Sequence, residues 1–130
     1  MPERKRVTVV NDNPEFLQLM QDLLQDASYP ATLISGDREN ATELIRDSEP
    51  EVLIIDLRLG SDEMKGLDIL RWTRKHPVLR NVPAIVCTAD SWGVESVQAE
   101  LKGYGNVTVL VKPFSVNQLY GAMSEVASAS

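Results

Sequence analysis

Hydrophobic residues along the chain fall into five short runs, separated by segments whose apolar residues recur at helical spacing. Val7 to Val10 is a β-branched run that ends at Asn11, Asp12 and Asn13, followed by Pro14, a residue common at the first position of a helix. From there Phe16, Leu17, Met20, Leu23 and Leu24 recur at i, i+1, i+4, i+7 and i+8, the stripe of a helix lying on a core, and Tyr29 with Pro30 marks its end. A second strand is predicted at Ala31 to Ile34, then a helix carrying Ala41, Leu44 and Ile45 that Pro50 stops. Val52 to Ile55 shows no alternation, as a strand buried on both faces reads, and it runs into a charged residue, Asp56. A polar, glycine-bearing loop from Gly60 to Gly66 leads to a third helix with Leu67, Leu70, Trp72 and Thr73, ended near His76 and Pro77. Pro83 introduces a fourth strand, Ala84 to Thr88. A helix with Val94, Val97 and Leu101 then runs into a Gly103-Tyr104-Gly105 turn. Val107 to Val111 is the fifth strand, and Val116, Leu119, Tyr120, Met123 and Val126 define the last helix. Strands alternating with helices over short connections predict an α/β protein with a parallel sheet covered on both faces.

Composition narrows the class further. At 130 residues and 43% hydrophobic the chain has the size of one ordinary domain, which needs no disulfide or structural metal to fold. A lone cysteine, Cys87, forms neither an internal bridge nor a CxxC pair, so a reducing, cytoplasmic setting fits. No apolar run approaches the roughly 20 residues of a membrane span. The net charge of -6 opposes phosphate backbones and argues against direct nucleic-acid binding. Arg4, Lys5 and Arg6, the one basic cluster, read as a solvated terminus.

In a parallel sheet of this kind ligands sit outside the carboxyl ends of the strands. That rule selects Asn11 and Asp12 after the first strand, Asp56 after the third, Thr88 at the end of the fourth, and Lys112 with Pro113 after the fifth. Taken singly, Asp12 could be a helix cap, Thr88 a β-former and Lys112 a surface residue. Together they suit the reception of a phosphoryl group. Asp56 is placed to be the nucleophile, Asp12 and Asp56 offer the oxygen ligands Mg2+ prefers, Lys112 supplies a point charge, and Thr88 a donor hydroxyl.

Four segments in this order, VVNDNPEFLQLM, EVLIIDLRL, PAIVCTAD and LVKPF, resemble the receiver domain of two-component response regulators, the CheY-like family, from Val7 to about Val126. The resemblance implies a single doubly wound (βα)5 flavodoxin-like fold with a five-stranded parallel sheet in the order 2-1-3-4-5, filling residues 1–130 with a core of about 6–127. It implies that Asp56 is the phosphoacceptor, Asp12 a direct Mg2+ ligand, Thr88 the switch hydroxyl and Lys112 the family lysine, joined to Pro113 by a candidate cis bond. It also implies that a sensor histidine kinase or histidine phosphotransfer protein acts upstream and a downstream protein or effector domain responds, and it admits a homodimer.

Three positions carry individual information. Asn11 stands where the family has a second acid at the metal site, which predicts weaker Mg2+ binding. Val109 stands where the family often places an aromatic switch residue, with Tyr104 the nearest ring in sequence. Arg58, two residues past Asp56, is expected to offer its carbonyl to the metal and its side chain to Asp90 across the mouth. Asn11 and Val109 motivate an alternative, a pseudo-receiver that binds partners without phosphate. A phosphatase of the haloacid dehalogenase type would need Asp-x-Asp where the chain has Asp56, Leu57, Arg58, and a flavodoxin would need a hydroxyl-rich loop where it has Asn11 to Pro14. His76, near a helix end, reads as a cap or surface residue, and Cys87 as an inert core residue.

Overall fold

The structure, a computed structural model, describes residues 5–36, 39–57, 65–88 and 91–128. Its elements are β1 (Val7–Asn11), α1 (Pro14–Asp26), β2 (Ala31–Ser35), α2 (Ala41–Asp47), β3 (Val52–Ile55), α3 (Lys65–Lys75), β4 (Ala84–Thr88), α4 (Ser91–Tyr104), β5 (Val107–Val111) and α5 (Val116–Ser128). The strands form one five-stranded sheet in the order β2-β1-β3-β4-β5, and every pairing is parallel. This is the expected flavodoxin-like topology.

Alternate residues along each central strand feed opposite layers, as the two-residue period of a strand requires. Val10, Leu53, Ile55, Ala84 and Val86 pack with Ala41, Ile45, Leu67, Leu70 and Leu101, so α2, α3 and α4 cover one face. Val7, Val9, Val52, Ile54, Ile85 and Cys87 pack with Met20, Leu24, Leu119 and Met123, so α1 and α5 cover the other. Because both neighbours of β1, β3 and β4 are strands and both faces carry helices, these three strands are wholly buried. The edge strands β2 and β5 are half-buried, which their uniform apolar run in the sequence does not distinguish.

Three local features depart from the expected pattern. A one-turn 3-10 helix, Leu79–Asn81, precedes Pro83; His76 Nδ1 accepts from the N–H groups of Val78 (3.1 Å) and Leu79 (3.3 Å), so the histidine caps it. Arg74 ties that turn to the end of α4 through Asn106 Oδ1 (2.6 Å) and the Val82 carbonyl (2.6 Å). At the other end, α4 continues through Gly103 and Tyr104, and of these three turn residues it is Gly105 that takes the left-handed backbone (φ 80°). In the third, Gly66, read from sequence as loop, is the second residue of α3.

Candidate functional site

The connection from β1 runs outward to β2, whereas the one from β2 returns past β1 to β3, so the winding reverses and a crevice opens at the carboxyl ends of β1 and β3. Asn11 and Asp12 line one side of it and Asp56 the other. Asn13, not Asp12, caps α1: its side-chain oxygen accepts from the N–H groups of Glu15 (2.9 Å) and Phe16 (3.3 Å). The capping role available to Asp12 is therefore filled by its neighbour, and Asp12 stands half-buried at the crevice.

Asp56 is 9% exposed, and Lys112 reaches it across the end of β4, Nζ to Oδ2 at 2.9 Å. An ammonium at that distance offsets the desolvation that a buried carboxylate otherwise suffers. The lysine is aimed by its backbone: its N–H donates to the Thr88 carbonyl (2.7 Å), and the Lys112-Pro113 bond is cis, as expected. Thr88 is buried at the last pair of the β4-β5 register, opposite Val111. Asp12, Asp56, Thr88 and Lys112 are thus brought to one edge of the sheet by four different elements.

Asn11 is 2% exposed. Its Oδ1 accepts from the Asn13 N–H (2.9 Å), which orients the amide and leaves Nδ2 buried without a hydrogen-bond partner. Among the described residues, no three His, Cys, Asp or Glu side chains gather as metal ligands. Asp12 and Asp56 remain as hard oxygen donors, a two-carboxylate set that fits Mg2+ with one acid fewer than an Asp at residue 11 would give. Arg58 and Asp90 lie outside the described residues.

Two further residues border the site without a signal that periodicity could reveal. Gly66 lies against the backbone of Asp56: a Cβ on it would meet the Asp56 carbonyl oxygen at 1.6 Å and the Leu57 carbonyl oxygen at 2.8 Å. Its own N–H donates to the Leu57 carbonyl (2.8 Å), so the first turn of α3 buttresses the backbone at Asp56. Phe16, on the first turn of α1, places its ring 4.2 Å from Lys112 Nζ, centroid to nitrogen.

At Val109, the position without an aromatic ring, the side chain is half-buried against the α2-α3-α4 layer, as is Tyr104. The Tyr104 hydroxyl donates to Glu100 Oε2 (2.6 Å), and Arg71 of α3 grips the same carboxylate through two bonds, 2.7 and 2.8 Å. Those bonds, Arg71 first, hold the Glu100 carboxyl down at about 2, and its carboxylate holds the Arg71 guanidinium above its ordinary value. Burial pushes the Tyr104 hydroxyl up, and the Glu100 carboxylate adds to the effect. Burial pushes the Cys87 thiol up to about 12, consistent with a core residue.

The fold and this strand-end cluster define a class, the flavodoxin-like domains whose chemistry sits at the carboxyl edge of a parallel sheet. Known proteins narrow it. The family model for the response regulator receiver domain matches residues 7–124. The polar-differentiation response regulator DivK of Brucella anthropi is 28% identical over 112 residues, covering 86% of this chain and 87% of the relative. Among solved structures, the chemotaxis response regulator CheY4 of Vibrio cholerae superposes with a TM-score of 0.79 at 24% identity, over 95% of this chain and 98% of that one. The receiver domain of a sensor histidine kinase from Pseudomonas aeruginosa, described with a magnesium ion coordinated in its active site cleft, superposes at 0.78 with 24% identity, over the same shares of both chains. The chain belongs to the response regulator receiver family of two-component signalling. No helix among the described residues is long and apolar enough to cross a membrane.

Proposed function

We propose that this chain is a working phosphoacceptor, a single receiver domain over residues 1–130 that takes a phosphoryl group from a phosphohistidine onto Asp56 and thereby changes its affinity for a downstream protein. The observation that carries the reading is the 2.9 Å contact between Lys112 Nζ and Asp56 Oδ2, which joins residues 56 positions apart at the crevice. In the transfer, an Asp56 oxygen bonds to phosphorus, the P–N bond of the donor breaks, and its electron pair returns to the imidazole. The donor is a sensor histidine kinase or a histidine phosphotransfer protein. Lys112, already beside the carboxylate, neutralises a phosphoryl oxygen, and the Thr88 hydroxyl donates to another. Asp12 and Asp56 would hold Mg2+, with the buried Asn11 amide beside them and the Arg58 carbonyl as a further ligand. Bound there, the ion supplies positive charge to the incoming phosphoryl oxygens.

Incubation with acetyl phosphate and Mg2+ followed by intact-mass measurement tests the reading. A phosphoryl adduct on the wild type that is absent from Asp56→Asn is the expected result. No adduct on the wild type, together with no response to beryllofluoride, would establish the pseudo-receiver instead, the reading that Asn11 and Val109 motivate.

A further inference from the structure

We infer that Phe16 is a positioning residue for the phosphoryl-transfer site: its ring holds the Lys112 ammonium at Asp56. The inference rests on the receiver reading above and adds a residue that sequence periodicity assigns to the core. Phe16 does sit on the stripe of α1, and it packs against the layer formed by α1 and α5. Its ring also faces the ammonium, with Nζ 4.2 Å from the centroid, well inside the roughly 6 Å over which a cation is attracted to a ring face. The same nitrogen is 2.9 Å from Asp56 Oδ2, so the lysine is held between a carboxylate and an aromatic face.

The ring is itself fixed from two sides. Phe114, two residues past Lys112, meets it edge to face, centroids 6.5 Å apart and planes at 89°. The first turn of α1 is fixed by Asn13, whose side chain accepts the Phe16 N–H, while Asn13's own N–H is held by Asn11 Oδ1. A lysine has a flexible four-carbon stem, and leaving it to sample rotamers costs the site much of the benefit of its charge. Covering one side of Nζ with an aromatic face removes water there, strengthens the pull toward Asp56, and restricts the rotamers to those that reach the crevice. Leucine at this position would fill similar space but give the cation no quadrupole to face.

The test has one arm that needs no phosphoryl chemistry and one that does. In the unphosphorylated protein, NMR should find the Lys112 ε-methylene protons shifted upfield by the ring; Phe16→Leu should abolish that shift and Phe16→Tyr retain it. In beryllofluoride titrations with Mg2+, Phe16→Leu should weaken binding by about two- to fivefold, as expected for one partly exposed cation–π contact, while Phe16→Tyr stays close to wild type. In a Lys112→Met background, Phe16→Leu should have no further effect, because the group it positions is gone. A wild-type lysine without the ring shift overturns the inference, as does equal loss in the Leu and Tyr variants or an undiminished loss in the Lys112→Met background. If the wild type ignores beryllofluoride while the ring shift is present, the phosphoacceptor reading fails and the Phe16–Lys112 contact stands on the NMR arm alone.

Discussion

Gly66 lies so close to the Asp56 backbone that only a hydrogen fits between them, and replacing it by a methyl group tests how rigidly α3 sets Asp56. In Gly66→Ala the new Cβ would lie 1.6 Å from the Asp56 carbonyl oxygen, where no Cβ contact falls below 3.0 Å, so β3 and α3 must part by about 1.4 Å. The atom met is backbone on both sides, and no rotamer can relieve it. Parting the elements breaks or weakens the bonds that Gly66 N–H (2.8 Å) and Leu67 N–H (3.3 Å) make to the Leu57 carbonyl. At about 1 kcal/mol for each hydrogen bond and about 1 to 3 kcal/mol for forced repacking, the loss is about 3 to 5 kcal/mol. Against a typical domain stability of about 5 to 15 kcal/mol that is large but survivable. Urea unfolding followed by tryptophan fluorescence measures it, with Trp72 on α3 half-buried against the core. Beryllofluoride affinity should fall in parallel, because the Asp56 carboxylate moves with its carbonyl. Gly121 is the control: it lies within α5, and a Cβ added there would meet nothing within 4 Å, so Gly121→Ala should stabilise by about 0.5 to 1 kcal/mol through helix propensity alone. A Gly66→Ala protein within about 1 kcal/mol of wild type and with unchanged affinity would refute the argument.

Four further outcomes follow from the same geometry. Asn11→Asp restores a charge about 5 Å from the ion, worth about 3 kcal/mol before screening at an effective dielectric near 20, so Mg2+ should bind at least about tenfold tighter by fluorescence titration; equal affinities would count against the two-carboxylate description. Asn13→Ala removes the side chain that accepts from Glu15 and Phe16, and should cost about 1 kcal/mol in urea unfolding. Glu100, held at about 2 against an ordinary 4.5, contributes stability that is present above about pH 4.5 and lost as pH falls toward 2. After discounting for its partly exposed partner Arg71, that contribution is about 1 kcal/mol, and Glu100→Gln should flatten the acid limb of stability against pH in that window. Cys87, with its thiol pushed up to about 12 by burial, should resist a thiol reagent at pH 8 in the native protein and react on addition of urea.

How much of this was legible in the sequence depended on how local its cause is. β-branched runs such as Val52 to Ile55 and stripes such as Met20 and Leu24 report burial directly, so the strands and the faces of α1 and α5 could be read from spacing. The strand-end rule then gathered Asp12, Asp56, Thr88 and Lys112, because a parallel sheet brings the carboxyl ends of its strands to one edge whatever lies between them. Local competition was harder to read. Asp12 and Asn13 are both good caps, and which of them caps α1 is decided by where the helix starts, which the sequence marks only to within a residue or two. The 3-10 turn at Leu79–Asn81 is too short for periodicity, although of the two roles read for His76, cap or surface residue, capping is the one its Nδ1 fills there.

What escaped entirely were contacts whose two halves carry no shared pattern. Gly66 looked like one more loop glycine, and only the approach of α3 to β3 shows that a hydrogen is needed there. Phe16 satisfies the core stripe of α1 so well that nothing in the spacing suggests a second duty at Lys112, 96 residues away. The same holds for Arg71 and Glu100, 29 residues apart on neighbouring helices and half-exposed, where composition predicts only solvated charge. Their bond bears on Val109. Position 109 carries no ring, and Tyr104 of α4 has its hydroxyl committed to a carboxylate that Arg71 already anchors to α3. A displacement of α4 relative to α3 that parts Arg71 from Glu100 breaks two charge-assisted bonds in partial solvent, a cost that falls on this ion pair whatever residue stands at 109.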